Sequence, residues 1–296
     1  MPCQPKRQQR QEPASRGRSG ADLYMRSPAT EADAYSYIIR LVYDRCRVRL
    51  HDGKKELIRA RLGKRMRKHG FETLEDYCSF LTTAGEDEVT EVVNALTTNF
   101  TSFLREEDHL QFMVRQALPS LLTKGVRRFK VWSAACASGE EPCSIAFYLW
   151  EHYPPASGWD WKIHASDVST KALEKARRAV YAADKVETMP LETRRSFFLK
   201  GQGNWTGHYR VKPEIMERVS FQQLNLLGEY HFQDTFEIIF CRNVMIYFDR
   251  PTQEQLVNRL CQYLAPAGYL LVGHSESLSG LSMPLRSLRP SIYQKQ

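Results

Sequence analysis

The chain has 296 residues, 42% of them hydrophobic and 26% charged, with a formal net charge of +8 at pH 7, an ordinary globular composition long enough for one large or two modest domains. No run approaches the ~18 consecutive apolar residues of a membrane span, the first thirty residues lack the apolar centre of a secretory signal, and seven cysteines (Cys3, Cys46, Cys78, Cys136, Cys143, Cys241, Cys261) stand singly without a Cys-x-x-Cys pair. A membrane span, a disulfide framework and a structural metal site are thereby disfavoured, and a reducing cytoplasm is the expected location.

Residues 1–30 hold six Lys/Arg against Glu12 and Asp22, with little to bury. They read as a disordered basic tail, solvated in preference to gripping an anionic partner. From Glu31 to Leu96 the pattern is helical: Tyr35, Ile38, Ile39 and Val42 recur at helical spacing, as do Leu57, Ile58, Leu62 and Met66. Gly70 ends one helix, and Thr73 three residues before Asp76 caps the next. Residues 54–68 carry eight Lys/Arg against Glu56 alone. On that helix Arg61, Lys64, Arg65 and Lys68 fall on a face separate from the apolar stripe, either solvated or steering an acidic partner. Outside these two basic segments the chain is slightly acidic, which argues against a nucleic-acid enzyme.

Residues 97–125 read as a linker and connecting helix. From Phe129 onward strands (Phe129–Ser133, Lys162–Ser166, Phe236–Cys241, Tyr269–Val272) alternate with helices (Glu140–Glu151, Thr170–Val180, Thr252–Leu264). Such alternation implies an α/β fold with a parallel sheet covered on both faces. It breaks at about 186–225, where Tyr209–Lys212, Val219–Gln222 and Gly201, Gly203 and Gly207 suggest a small antiparallel insertion.

Three strand ends carry the chemistry, because ligands of open α/β sheets lie beyond the carboxyl ends of the strands. The first, Val131–Pro142, is rich in small residues that let a ligand approach the backbone, and it ends in Glu140-Glu141. Two carboxylates at a helix start repel a diphosphate and suit a ligand bearing positive charge, such as S-adenosylmethionine. The second places Asp167 where a carboxylate accepts from ribose hydroxyls, or else caps the following helix. The third, Phe236–Arg250, passes from an apolar strand into Cys241-Arg-Asn243, with Tyr247 and Asp249 just beyond.

Six stretches, Leu96–Glu106, Trp132–Pro142, Ala165–Arg177, Asn225–Leu227, Ile239–Asp249 and Gly273–Ser277, follow one another as in a known family. The chain resembles the CheR-type chemoreceptor glutamate O-methyltransferases of bacterial chemotaxis over roughly 35–296. The Cys241–Asp249 block is the most specific part. The resemblance implies a helical N-terminal domain (31–96) and, over 126–296, a Rossmann-like class I methyltransferase domain that uses S-adenosylmethionine and yields S-adenosylhomocysteine. It carries cofactor contacts onto Asn99, Thr101, Arg105, Glu141, Asp167, Asn225, Leu226, Asn243 and Val244, and the methyl-transfer centre onto Arg105 and Tyr247. It implies a receptor-facing helix bearing Arg59, Arg61, Lys64, Arg65 and Lys68, and a β-subdomain that in some members grips a receptor's C-terminal tether. Phe100, Leu104, Ala137-Ser138, Cys143 and Ser169 depart from the family's commoner residues.

A glutamate carboxylate, with a reference pKa near ~4.3, is already ionised at neutral pH and needs no general base. The chain offers no convincing His–carboxylate dyad. In-line placement, worth up to ~7–11 kcal/mol, is then the protein's main contribution. The expected partner is the cytoplasmic part of a chemoreceptor, with no nucleic acid, no membrane insertion, no metal, and the enzyme a monomer. A base methyltransferase, whose amino-directed members carry Asp/Asn-Pro-Pro-Tyr/Phe where this chain has Arg242-Asn-Val-Met, and a non-catalytic cofactor-binding adaptor are the rival readings.

Overall fold

The structure, a computed structural model, describes residues 28–50, 52–122 and 127–296. The basic tail therefore lies almost entirely outside the described residues.

Four helices come first: α1 (Glu31–Cys46), α2 (Lys55–Lys68), α3 (Leu74–Leu81) and α4 (Glu86–Leu96). Their starts and stops follow the local sequence. Thr30 and Thr73 accept from the Asp33 and Asp76 amides as N-caps, and Gly70, at φ +77°, turns the chain after α2. Ile38, Val42, Ile58, Leu62, Tyr77 and Val92 meet in one buried core, so the apolar periodicity of each helix points inward. After α5 (Glu107–Phe112), a π-helical turn (Met113–Ala117) and α6 (Leu118–Leu121), the chain enters the sheet.

The main sheet takes β1 (Arg128–Ser133), α7 (Glu140–His152), β2 (Asp160–Asp167) and α8 (Thr170–Arg178). An excursion follows through β3 (Val180–Ala182), α9 (Ala183–Val186), α10 (Leu191–Phe197), β4 (Phe198–Lys200), β5 (His208–Val211) and α11 (Pro213–Met216). The chain then returns as β6 (Val219–Gln223), β7 (Phe236–Cys241), α12 (Arg250–Tyr263), β8 (Leu264–Val272), β9 (Leu285–Arg289) and β10 (Ile292–Lys295). The seven strands lie in the order β6-β2-β1-β7-β8-β10-β9. The first five are parallel, and β10 runs antiparallel to both of its neighbours, β8 and β9. Alternate residues feed opposite faces: Val131, Ile163, Ile238 and Phe240 join the α7 side, and Trp132, Ile239, Leu270 and Val272 the α12 side. The fold is a Rossmann-like α/β domain carrying a small antiparallel sheet, preceded by an all-α domain.

The insertion needs correcting at both ends. Its sheet is β3-β5-β4 and begins at Val180, not near 186. Val219–Gln223 is no part of it; β6 pairs in parallel with β2 as the edge of the main sheet. Both strands are short with polar exposed alternates, and such a pattern does not say which partner a strand will find.

β1 and β7 are adjacent, but β1 leads away to β2 and β6 whereas β7 leads to β8 on the other side. Strand order reverses between them, opening a crevice at their carboxyl ends.

Candidate active site: a cleft between the helical domain and the sheet

That crevice is an open cleft between the helical domain and the carboxyl ends of the strands. Asn99, Thr101, Arg105, Glu141, Asp167, Asn225, Leu226, Asn243, Val244 and Tyr247 all line it, together with Ala134, Ala135 and Ala137. Residues from five separated stretches therefore reach one place.

At the end of β1, Ala137 (φ +47°) and Gly139 (φ +95°) bend the chain into α7. A Cβ on Gly139 would sit 2.8 Å from Ala176 Cβ and 2.9 Å from Tyr181 Oη, so the turn excludes any side chain there. The two carboxylates that follow part company. Glu141 faces the cleft, its Oε1 accepting from Ser133 Oγ at 2.6 Å and its Oε2 from Arg242 Nε at 2.8 Å. Glu140 is fully buried on another side, paired with Lys185 and accepting from Ser138 Oγ. The expected acidic pair thus contributes one carboxylate to the ligand, because adjacent helical residues point about 100° apart.

Asp167 ends β2 and is buried. Its Oδ1 accepts from the Ser169 amide and its Oδ2 from the Ala137 amide, both at 2.8 Å. Burial raises its pKa and these amides oppose the rise. The helix cap is Ser169, two residues later. Each Asp167 oxygen keeps a lone pair for a further donor.

Asn243 lies at the end of β7 with φ +57°. Buried Glu276 holds it there: Oε2 accepts from the Asn243 and Gly273 amides at 2.8 and 2.6 Å, and Oε1 from the Met245 amide at 2.7 Å. The Asn243 side chain donates to Glu106 Oε1 at 3.2 Å. Asn225 is turned partly to the helical domain, its Nδ2 donating to Arg45 O at 2.7 Å.

Arg105 sits between Leu104 and Glu106, both in the left-handed region at φ +55° and +52°. Its Nη1 donates to Phe100 O at 3.2 Å, and its guanidinium lies 5.8 Å from the centre of the Phe100 ring. Arg242 clamps the segment from behind, donating from Nη2 to Arg105 O at 2.8 Å. Tyr247 is half-buried, with Lys54 Nζ 6.0 Å from its ring centre. Glu106, His109 and His274 bring their ligand atoms within 4.8 Å of one another. Arg242 already supplies the positive charge there, 3.4 Å from His109 Nδ1 and 3.7 Å from Glu106 Oε2.

The chain matches the family model "CheR methyltransferase, SAM binding domain" over residues 99–292 and "CheR methyltransferase, all-alpha domain" over residues 33–97. The chain belongs to the CheR methyltransferase family. It is 37% identical to the chemotaxis protein methyltransferase of Salmonella typhimurium, covering 90% of this chain and 91% of that one. Identity is 38% with the Klebsiella aerogenes protein of the same name, over 90% of each chain, and 36% with that of Escherichia coli, over 90% and 92%.

This CheR methyltransferase depends on S-adenosylmethionine, and the cleft fits that molecule. Glu141 and Asp167 offer acceptors to an ammonium and a ribose, Leu226, Val244 and Phe248 offer apolar surface, and the alanines after β1 leave the backbone approachable.

Sequence reasoning missed three features. The helical domain lines the cleft with Cys46, Val48, Leu50, Lys54 and Leu57, although the site was read from residue 99 onward. Arg242 and Glu276, inside those motifs but given no role, hold the segments around Arg105 and Asn243 in place. The basic stripe of α2 also divides. Lys64 and Lys68 are exposed, and Arg59 pairs with Glu31 at the surface. Arg61 donates to Leu96 O and Thr97 O at 3.1 and 3.2 Å, fixing the chain that leads to Asn99. Arg65 turns inward, paired with Glu88 and, at 2.9 Å, with Glu91. Its expected place on the outward stripe is corrected: only 14% of its side chain is exposed.

Proposed function

We propose that this methyltransferase esterifies glutamate side-chain carboxylates on the cytoplasmic domain of chemoreceptors, giving glutamyl methyl esters and S-adenosylhomocysteine. The observation that carries the reading is the division of charge in the cleft. Its acidic residues, Glu141 and Asp167, already accept two hydrogen bonds each. Arg105, Tyr247 and Lys54 bring donors to the same cleft. Such a wall attracts a carboxylate, which is ionised at neutral pH and has no proton to lose. An amine or hydroxyl acceptor needs a base, and both cleft carboxylates are committed elsewhere.

Bound S-adenosylmethionine supplies a methyl group activated by its positively charged sulfur. Asn99, Thr101, Glu141, Asp167, Asn225, Leu226, Asn243 and Val244 hold the donor. Arg105 and Tyr247 orient the incoming carboxylate through a charge-assisted and a hydroxyl hydrogen bond. Arg105 orients more than it neutralises, because tight pairing blunts the nucleophile.

Lys64, Lys68 and Arg59 steer the acidic receptor segment, and Arg61 keeps the cleft's entry strand in place. The β3-β5-β4 sheet, with Leu199 and Trp205 exposed, serves a receptor tether. The enzyme acts on the receptor's cytoplasmic side, as a monomer.

The test is methyl-labelled donor with a chemoreceptor cytoplasmic fragment, followed by alkali. Methyl esters release volatile labelled methanol. Alkali-stable label indicates N-methylation, and absence of label indicates an adaptor; either result overturns the proposal.

A further inference from the structure

We propose that Asn94, on α4 of the helical domain, is a positioning residue for the cofactor carboxylate Asp167. The inference rests on Asp167 holding the donor, as proposed above. Asn94 is buried and its side chain crosses between domains. Its Oδ1 accepts from Ser169 Oγ at 2.9 Å, and its Nδ2 donates to Thr170 Oγ1 at 2.9 Å. Ser169 is fully buried.

The Ser169 hydroxyl has one proton and two lone pairs. Giving the proton to Asn94 aims a lone pair at the Ala172 amide, 3.2 Å away, which caps α8. The cap fixes the turn, and the Ser169 amide in that turn donates to Asp167 Oδ1 at 2.8 Å. A continuous line of hydrogen bonds therefore runs from Asn94 through Ser169 to the carboxylate, whose other oxygen is held by the β1 turn. Val168, between the two held residues, packs against the core of the helical domain. A few residues beyond Asn94 the same segment enters the cleft at Leu96 and Asn99. The helical domain thus does more than present a surface to a partner: through Asn94 it sets the pose of a residue in the other domain. The nearby Glu91–Lys171 pair joins the same two helices, α4 and α8, and Glu91 also faces the Asn94 side chain.

The test uses the full chain, with calorimetric binding of S-adenosylhomocysteine and kcat at saturating donor. Asn94→Ala and Ser169→Ala should each weaken binding about five- to tenfold, the worth of one orienting hydrogen bond. They should leave saturated kcat within about twofold, since Asp167 stands away from the transferred methyl. The double variant should bind no worse than either single one, because both break the same line. Ser169→Thr, which keeps the hydroxyl, should restore binding, and Arg178→Ala, in an exposed pair on the same helix α8, should leave it unchanged. Asp167→Ala serves as the reference. If it weakens binding and neither Asn94→Ala nor Ser169→Ala does, or if their losses add, the positioning role is overturned. If Asp167→Ala itself binds normally, the assignment of the donor site has failed instead. Should Asn94→Ala fail to fold, Ser169→Ala and Ser169→Thr decide the matter from the other domain.

Discussion

Replacing Arg242 by lysine is the sharpest probe of how the Arg105 segment, proposed to orient the acceptor carboxylate, is held. The Arg242 side chain is 3% exposed and donates in three directions. Nε reaches Glu141 Oε2 at 2.8 Å, Nη2 reaches Arg105 O at 2.8 Å, and Nη1 reaches Glu106 O at 3.4 Å. An ammonium keeps the charge but lacks the planar fork, so a lysine paired with Glu141 abandons the two carbonyls. An orphaned buried acceptor costs about 1–3 kcal/mol. Leu104 and Glu106, left-handed on either side of Arg105, each store about 1–2 kcal/mol that the clamp now opposes. R242K should therefore lower the unfolding free energy by about 2–4 kcal/mol. It should also lower turnover by ~10-fold or more, since ~1.4 kcal/mol of lost orientation is tenfold. Denaturant unfolding and methyl transfer at saturating donor and receptor fragment measure the two effects. A variant within about 0.5 kcal/mol of the parent in stability, and with unchanged turnover, would show that the clamp does not hold Arg105.

Three further outcomes are expected. Tyr247→Phe should cut kcat by ~10–100-fold, the worth of a hydrogen bond to a charged group, while S-adenosylhomocysteine binding stays within about twofold; equal losses in both would contradict an orienting role. Gly139→Ala places a Cβ 2.8–2.9 Å from Ala176 and Tyr181 at φ +95°, and should cost about 2–4 kcal/mol through overpacking and backbone strain. An unshifted melting temperature would mean the turn relaxes freely. The third concerns pH. Burial, then the Arg242 charge, lowers the His109 pKa to about 4, against Asp108 and Glu106, with His274 also facing it; the unfolded value is near ~6.5. Between these values the unfolded chain takes up a proton that the fold refuses, so stability falls as pH drops from about 6.5 towards 4. His164, lowered to about 4 by burial, acts in the same sense. His109→Asn should flatten the slope of unfolding free energy between pH 7 and 5, and an unchanged slope would refute the assignment.

Local features were legible from the chain alone. Thr73 and Gly70 mark helix boundaries through interactions a few residues long, and the apolar runs ending at Ser133, Asp167 and Cys241 mark strand ends, because both depend on neighbours in sequence. The same motifs named the residues that now line the cleft. Glu140 and Glu141 show where this stops: side by side in sequence, they differ in whether Lys185 or Arg242 lies opposite, 45 and 101 residues away. Arg65 likewise looked like one more cation of a solvated stripe until Glu88 and Glu91 came to face it.

The sequence by itself determined the helical character of residues 31–96, the alternation of β1, β2, β7 and β8 with α7, α8 and α12, and which strand ends carry polar chemistry. Each follows from periodicity and turn propensity within about ten residues. Only the tertiary structure decided that β6 joins the main sheet, that Arg242 and Glu276 clamp the loops around Arg105 and Asn243, and that Asn94 reaches Ser169 from another domain. Those contacts join buried polar groups far apart in the chain, and a hydrogen bond between distant residues leaves no period in the sequence to read.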